Sequence, residues 1–213
     1  HISRDEGLLQ AFRNDEDIHA TTAARVFGVD LAEVSHDMRR KAKEVNFGIM
    51  YGIGPFGLAN RLEISQAEAR KIIDRYFERF PKVREYINTT IEGARTQGYV
   101  STLLGRRRYL ADINSRNQNA RNNAERQAIN MPIQGTAADM IKLAMIEIDT
   151  ALSTHRLSSR MLLQVHDELV FEVPRKEAGK VTALVEERMQ NALPLDVPIK
   201  VDVGTGRNWL EAH

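Results

Sequence analysis

The stretch RRKAKEVNFGIMYG, Arg39 to Gly52, sets Arg39, Lys43, Phe47 and Tyr51 four residues apart each time. A helix turns by about 100° per residue, so each step of four gains only about 40° and the four side chains form a slowly winding stripe. Ala42, Val45 and Ile49 fall on another side, which suits a buried face. Two cations one turn apart suit a chain of phosphates, the planar arginine fork taking oxygens in pairs and the lysine acting as a mobile point charge. Rings further along can stack on a base, and the start of a helix favours negative charge. The stripe thus suits a nucleotide whose triphosphate lies near the helix start. The same spacing also describes a solvated Arg/Lys face followed by buried Phe and Tyr.

Outward from this helix, the first half reads as mainly helical. Asp17 can cap a helix through about Phe27, with Gly28 as its stop, and Ser35 can cap the helix that carries the stripe. GIGPFG breaks the pattern. Ser65 with Glu68 forms a capping box at the head of a helix that Pro81 ends, and a further helix runs from about Lys82 to Gln97. YVSTLLGRRRYL predicts a hairpin turning near Gly105, and an Asn-rich stretch leads into a long helical pattern interrupted by Pro132. From Met161 the pattern becomes two apolar strands around a polar turn, then an amphipathic helix, then a last strand in PIKVDVGTG. With no repeat and no linker, the change of character near residue 110 reads as a subdomain junction.

The 213 residues, 42% of them hydrophobic, are enough for one large domain or two small ones. The absence of cysteine excludes disulfides, thiol catalysis and cysteine-type zinc sites. No apolar run approaches a bilayer span, and HISRDEGLL has neither the basic start nor the apolar core of a signal peptide, so the expectation is a cytosolic protein. A net charge of +1 leaves nucleic-acid binding to local patches. Such a patch exists at Arg106, Arg107 and Arg108, followed by Arg116 and Arg121 among asparagines.

Two further constellations carry chemistry. QVHDELVFEV sets His166, Asp167 and Glu168 between two runs that a sheet would bury. Hairpin turns favour Asn-Gly or Asp-Gly, whereas adjacent carboxylates at a sheet tip can hold a hard cation such as Mg²⁺; a plain solvent-exposed turn is the other reading. A two-metal site needs carboxylates from more than one segment, which one tip does not supply. In ERQAINMPIQG, Arg126, Asn130 and Gln134 again step by four, with Pro132 between the last two. These side chains donate to minor-groove acceptors that are nearly independent of sequence, although a polar helix face in water fits them as well.

Taken together, RRKAKEVNFGIMYG, QVHDE and AERQAINMPIQGTAADMIK closely resemble the family A DNA polymerases, the bacterial DNA polymerase I group in particular, in the family's order and from HISRDEGLL to GRNWLEAH. The resemblance implies an α+β fold, with a mostly helical fingers subdomain over residues 1–110 and part of a palm, with a small antiparallel sheet and packed helices, over 111–213. It implies template-directed addition of deoxynucleotides to a primer 3′-hydroxyl. Arg39 and Lys43 would bind the incoming triphosphate, Lys43 also giving a proton to the leaving pyrophosphate. Phe47 would pack beside sugar and base, and Tyr51 would sit at the template-base position. Asp167 would be a metal ligand with Glu168 beside it, two Mg²⁺ ions serving the complete enzyme, and His166 would lie near the primer end. Arg126, Asn130 and Gln134 would contact the primer-template duplex. The partners implied are primer-template DNA and deoxynucleoside triphosphates, in a monomeric enzyme of the bacterial cytosol or nucleoid.

The family's D-Y-S-Q-I-E-L-R segment, whose aspartate is the other metal-bridging carboxylate, is not in these 213 residues; neither are a thumb, the N-terminal palm or an exonuclease domain. Two other classes remain compatible: a single-subunit RNA polymerase, which shares a related fingers helix, and a non-catalytic nucleic-acid-binding module. The resemblance predicts that these 213 residues alone, given Mg²⁺, primer-template and deoxynucleotides, do not catalyse extension. Extension at ordinary polymerase rates contradicts it.

Overall fold

The structure, a computed structural model, describes residues 1–212, and the chain forms two compact units, His1–Ile133 and a second beginning at Gln134. The first unit is helical. In order come α1 (Glu6–Arg13), α2 (Ile18–Phe27), a 3-10 turn (Leu31–Glu33), α3 (His36–Met50), α4 (Pro55–Leu62), α5 (Gln66–Arg79) and α6 (Pro81–Gln97). A hairpin of β1 (Tyr99–Ser101) and β2 (Arg107–Tyr109) follows, then the start of α7 (Gln118–Thr154). The junction expected near residue 110 falls just after this hairpin, whereas the compact units divide within α7.

The caps explain the breaks. Ser35 Oγ accepts from the Met38 amide at 3.2 Å, and Ser65 with Glu68 closes the expected box, Ser65 Oγ accepting from the Glu68 amide and Glu68 Oε2 from the Ser65 amide. Gly28 and Gly98 end their helices in the left-handed region. Where GIGPFG was expected only to interrupt, it also starts α4: Gly54 is the N-cap and Pro55 the first helical residue, where a missing N–H costs nothing. The core gathers Val45, Ile49, Leu58, Ala69, Ile73, Tyr76, Phe80 and Val83 from α3 to α6, and a satellite cluster joins Ala94, Val100, Leu110, Ile113, Ala124 and Ala128.

One buried carboxylate ties distant ends of this unit. Asp5 is 2% exposed; its Oδ1 accepts from the Leu8 amide at 3.2 Å and its Oδ2 from the Lys82 amide at 3.1 Å. It therefore caps both α1, its own helix, and α6, whose N-cap position is held by Phe80, a side chain with no acceptor.

The second unit holds the rest of α7, then β3 (Arg160–Val165), β4 (Glu168–Glu172), a 3-10 turn (Arg175–Glu177), α8 (Ala178–Gln190) and α9 (Trp209–Ala212). β3 and β4 pair antiparallel from Arg160↔Glu172 to Val165↔Glu168, with a register irregularity between Met161 and Leu163. Met161, Leu169, Phe171 and Val173 pack on a core of Ile148, Leu152, Val181, Leu184 and Val185 from α7 and α8. PIKVDVGTG, whose alternating valines predict a strand, forms none among the described residues: a strand requires a ladder partner, and β3 and β4 pair only with each other. No described helix is long and apolar enough to cross a membrane.

Glu177 anchors the approach to β3: its Oε2 accepts from the amides of Ser158 at 3.0 Å and Ser159 at 3.1 Å, and from the Ser159 hydroxyl at 2.7 Å. The Ser159 hydroxyl acts most strongly; desolvation opposes it, and the two amides and the charge of Lys176 add to it, so the carboxyl stays below its ordinary 4.5.

Two outcomes follow from these carboxylates. Asp5→Ala leaves two helix N-termini uncapped at a buried point and is expected to lower the unfolding free energy by about 2–4 kcal/mol; an unchanged urea midpoint refutes the double cap. The depressed pKa of Glu177 means its stabilising effect is complete above 4.5 and is lost as pH falls through the lower folded value. Thermal melts in acid should therefore decline less steeply for Glu177→Gln than for the parent, and parallel declines contradict the anchoring role.

Candidate functional site

α3 buries one side completely. Ala42, Val45 and Ile49 are at most 1% exposed, and Asn46 lies on the same face. This leaves Arg39, Lys43, Phe47 and Tyr51 on the outer side, and the structure brings the last three into contact. Lys43 Nζ stands 6.0 Å from the Phe47 ring centroid, and the Phe47 and Tyr51 rings stack at 6.0 Å and 25°. The bland expectation for the rings, burial in the core, does not hold for Phe47, which is 39% exposed.

The cations of α3 fall into two groups. Arg40 and Lys41 face Asp37 and, for Arg40, Glu44, as local pairs along the helix. Arg39 Nε donates to Asp17 Oδ2 at 2.6 Å, the same carboxylate that caps α2 through the Ala20 amide. Partial burial tends to raise the Asp17 pKa, but the hydrogen bonds from Arg39 and Ala20 outweigh it and leave the carboxyl below its usual range. Among the described residues Lys43 makes no ion pair. Along the stripe the helix therefore presents one cation held by an acid and one available to an incoming anion.

A residue from α2 completes this wall, and spacing gave no sign of it. The His19 ring lies 5.7 Å from that of Phe47, tilted by 42°. Behind it, Asn46 Nδ2 is 3.0 Å from His19 Nδ1, and Asn46 Oδ1 accepts from the Thr22 hydroxyl at 3.0 Å. Burial, then the positive charge of Arg39, lowers the His19 pKa; Asp17 opposes this and Lys43 adds to it. A DIHATTA segment on another helix carries no periodic link to the stripe; only the packing of α2 on α3 reveals the association.

The far end of the stripe meets α7. Gly52 has φ +79°, and a Cβ there would stand 3.2 Å from Ile129 Cδ1 and 3.8 Å from Arg126 Cγ, so glycine serves both the left-handed turn and the close approach. The Tyr86 hydroxyl donates to the Ile129 carbonyl at 2.8 Å, one turn before Pro132. Proline disturbs the hydrogen-bond ladder of the preceding turn, and a side-chain donor there supports the helix. Burial, with the nearby Tyr51 phenol adding to it and a Thr90 hydrogen bond opposing, pushes the Tyr86 pKa up to about 12. Arg126 is exposed beside Gly52, and the Oδ1 atom of half-buried Asn130 is buried without a hydrogen-bond partner, an acceptor that costs free energy until something donates to it. Gln134 continues the step of four and is exposed, but it belongs to the second unit.

In that unit His166 and Asp167 form the two-residue turn between Val165 and Glu168. His166 adopts φ +54°, a conformation glycine usually supplies, and its carbonyl accepts from Gln164 Nε2 at 3.0 Å. A non-glycine residue held there is the kind of strain found at working sites. Asp167 is exposed at the tip, and Glu168 is half-buried as the first residue of β4. No group of three or more His, Asp or Glu side chains among the described residues could hold a metal. The pair still fits magnesium, which commonly uses one or two carboxylates together with phosphates and water.

A model of DNA polymerase family A matches residues 1–211. DNA polymerase I of Caldicellulosiruptor bescii is 53% identical over 211 residues, 99% of this chain and 25% of that protein. The thermostable DNA polymerase I of Thermus filiformis is 54% identical over 212 residues, 100% of this chain and 25% of that protein. Among solved structures, the POL domain of Pol1 from M. smegmatis, in complex with DNA primer-template and dNTP, matches with a TM-score of 0.95 at 50% identity, covering 100% of this chain and 37% of that one. The chain spans about a quarter of the length of the curated relatives it matches.

Proposed function

This chain belongs to DNA polymerase family A, and we propose that it takes part in template-directed DNA synthesis, the addition of deoxynucleotides to a primer 3′-hydroxyl. The observation that carries this reading is the run of exposed Lys43 and Phe47 and half-buried Tyr51 on a helix whose opposite face is buried, with Lys43 free of any ion pair among the described residues. A relative of the same fold was solved with DNA primer-template and dNTP, which supports those as the partners.

In this reading residues 1–110 act as fingers and 111–213 as part of the palm. Lys43 and Arg39 grip the triphosphate, Arg39 exchanging Asp17 for phosphate oxygens of stronger charge. His19, on the same wall, joins them at the phosphates. As the primer 3′-hydroxyl gives up its proton to water and attacks the α-phosphate in line, the bond to pyrophosphate breaks and charge accumulates on the leaving group, where the cations Arg39 and Lys43 stabilise it and Lys43 gives it a proton. Phe47 and Tyr51 offer flat apolar surfaces to the base and sugar, so the fit of the pair is tested by shape. Arg126, Asn130 and Gln134 read duplex geometry in the minor groove, the unpartnered acceptor of Asn130 receiving a donor there, while His166 lies at the primer end. Asp167, with Glu168 beside it, would hold Mg²⁺, two ions in the complete enzyme, which would supply activation of the attacking oxygen and neutralisation of charge on the leaving group. The enzyme acts as a monomer in the bacterial cytosol.

In an enzyme completed by joining this chain to the remaining polymerase residues, Lys43→Ala is expected to reduce kcat/KM for deoxynucleotide by about 10- to 150-fold, the loss of a charge-assisted contact worth about 1.5–3 kcal/mol. Lys41→Ala, on a side chain occupied by Asp37, should change it little. Equal rates for parent and Lys43→Ala remove Lys43 from the site.

A further inference from the structure

Asn46 is the only polar residue on the buried side of α3, where Ala42, Val45 and Ile49 would lead one to expect a fourth apolar side chain. It is 3% exposed and both ends of its amide are engaged: Oδ1 accepts from the Thr22 hydroxyl and Nδ2 faces His19 Nδ1, each at 3.0 Å. A buried amide inside an otherwise apolar face lowers stability unless its bonds are made. Here they are made to two residues of α2, so the cost of burial is offset by a fixed relation between α2 and α3.

The pairing has a consequence for His19. An Nδ2–H group donates, so the ring atom that faces it must be an unprotonated acceptor, and the ring proton then resides on Nε2 at the opposite edge. An imidazolium would turn two N–H groups on each other and lose the bond. The charged groups around the ring act in the same sense on balance: burial and the cations Arg39 and Lys43 of α3 disfavour the imidazolium, and Asp17 at the head of α2 favours it. Aspartate at position 46 would instead accept from Nδ1–H and favour imidazolium, and leucine would leave both Nδ1 and the Thr22 hydroxyl without a partner.

We propose that Asn46 is a positioning residue that holds His19 neutral with its proton on Nε2, so that this N–H stands with Arg39 and Lys43 as a donor to the phosphate chain of the nucleotide. The phosphate part rests on the reading of α3 as the nucleotide wall; the Asn46–His19 pairing does not. A neutral N–H donor adds a directed bond whose strength does not vary with pH across the range in which an ordinary histidine titrates.

The test has two arms. In this chain, labelled with ring-¹⁵N histidine and assigned by His19→Gln, nitrogen NMR reads the tautomer directly, without requiring any Asn46 variant to fold. The expected result is an unprotonated Nδ1 and a protonated Nε2 near neutral pH, and in Asn46→Asp a proton on Nδ1 with a raised pKa. A parent spectrum showing Nδ1–H or imidazolium, or an Asn46→Asp spectrum identical to the parent, overturns the proposal. In the completed enzyme, assayed above the raised His19 pKa so that the ring is neutral with its proton on Nδ1 and Nε2 bare, Asn46→Asp is expected to raise the nucleotide KM by about tenfold, with kcat much less affected, the loss of one directed bond to a charged group. If the tautomer switches and KM does not move, the placement of His19 at the phosphates fails while the hold of Asn46 on His19 stands.

Discussion

Burial of one face of α3 governs the candidate site. Val45 and Ile49 are almost completely removed from water among Leu58, Ile73, Tyr76 and Phe80, and Ala42 and Asn46 are buried on the same side. Removing that much apolar surface from water fixes the rotation of the helix about its axis, because any other rotation would expose the valine and isoleucine and bury charges. Once the rotation is set, Arg39, Lys43, Phe47 and Tyr51 have only the outer side available. The site is thus a consequence of core packing, and its side chains need little organisation of their own.

Polar groups then secure what the core leaves undetermined. Asp17 caps α2 and at the same time holds the guanidinium of Arg39, so a helix start and a site cation share one carboxylate. Asn46 ties α2 to α3 behind the ring of His19. Gly52 and the bond from Tyr86 to the Ile129 carbonyl set the end of α3 against the proline-bearing stretch of α7, where Arg126 and Asn130 lie. Asp5 and Glu177 do similar work away from the site, each satisfying several amides that a helix start or a loop would leave unpaired.

Much of this was legible from residue patterns because the signals are local. Capping residues, left-handed glycines and the separation of Ala42, Val45 and Ile49 from the stripe all follow from helix periodicity, and the structure agrees with them. The hairpin at Gly105 and the β3–β4 pair were equally local. What escaped was long-range. α1 has a capping aspartate, but Asp5 also serves an amide 77 positions away, which no window of sequence contains. His19 sits on a helix whose own pattern is unremarkable, and its place beside Phe47 is decided by packing. The apolar alternation of PIKVDVGTG predicted a strand, yet alternation describes a half-buried surface and does not provide a hydrogen-bonding neighbour. His166 and Asp167 were visible as charges in an unexpected turn, but the left-handed backbone at His166 was not.

The role proposed for the outer side of α3 is to hold triphosphate and base. A crystal structure of the completed enzyme with primer-template and the templated deoxynucleotide tests it most directly. The expected result is Lys43 Nζ and the Arg39 guanidinium within hydrogen-bond distance of phosphate oxygens, Arg39 having left Asp17, and the Phe47 ring against the nucleotide. A nucleotide bound elsewhere, with Arg39 still on Asp17 and Lys43 in solvent, would contradict it.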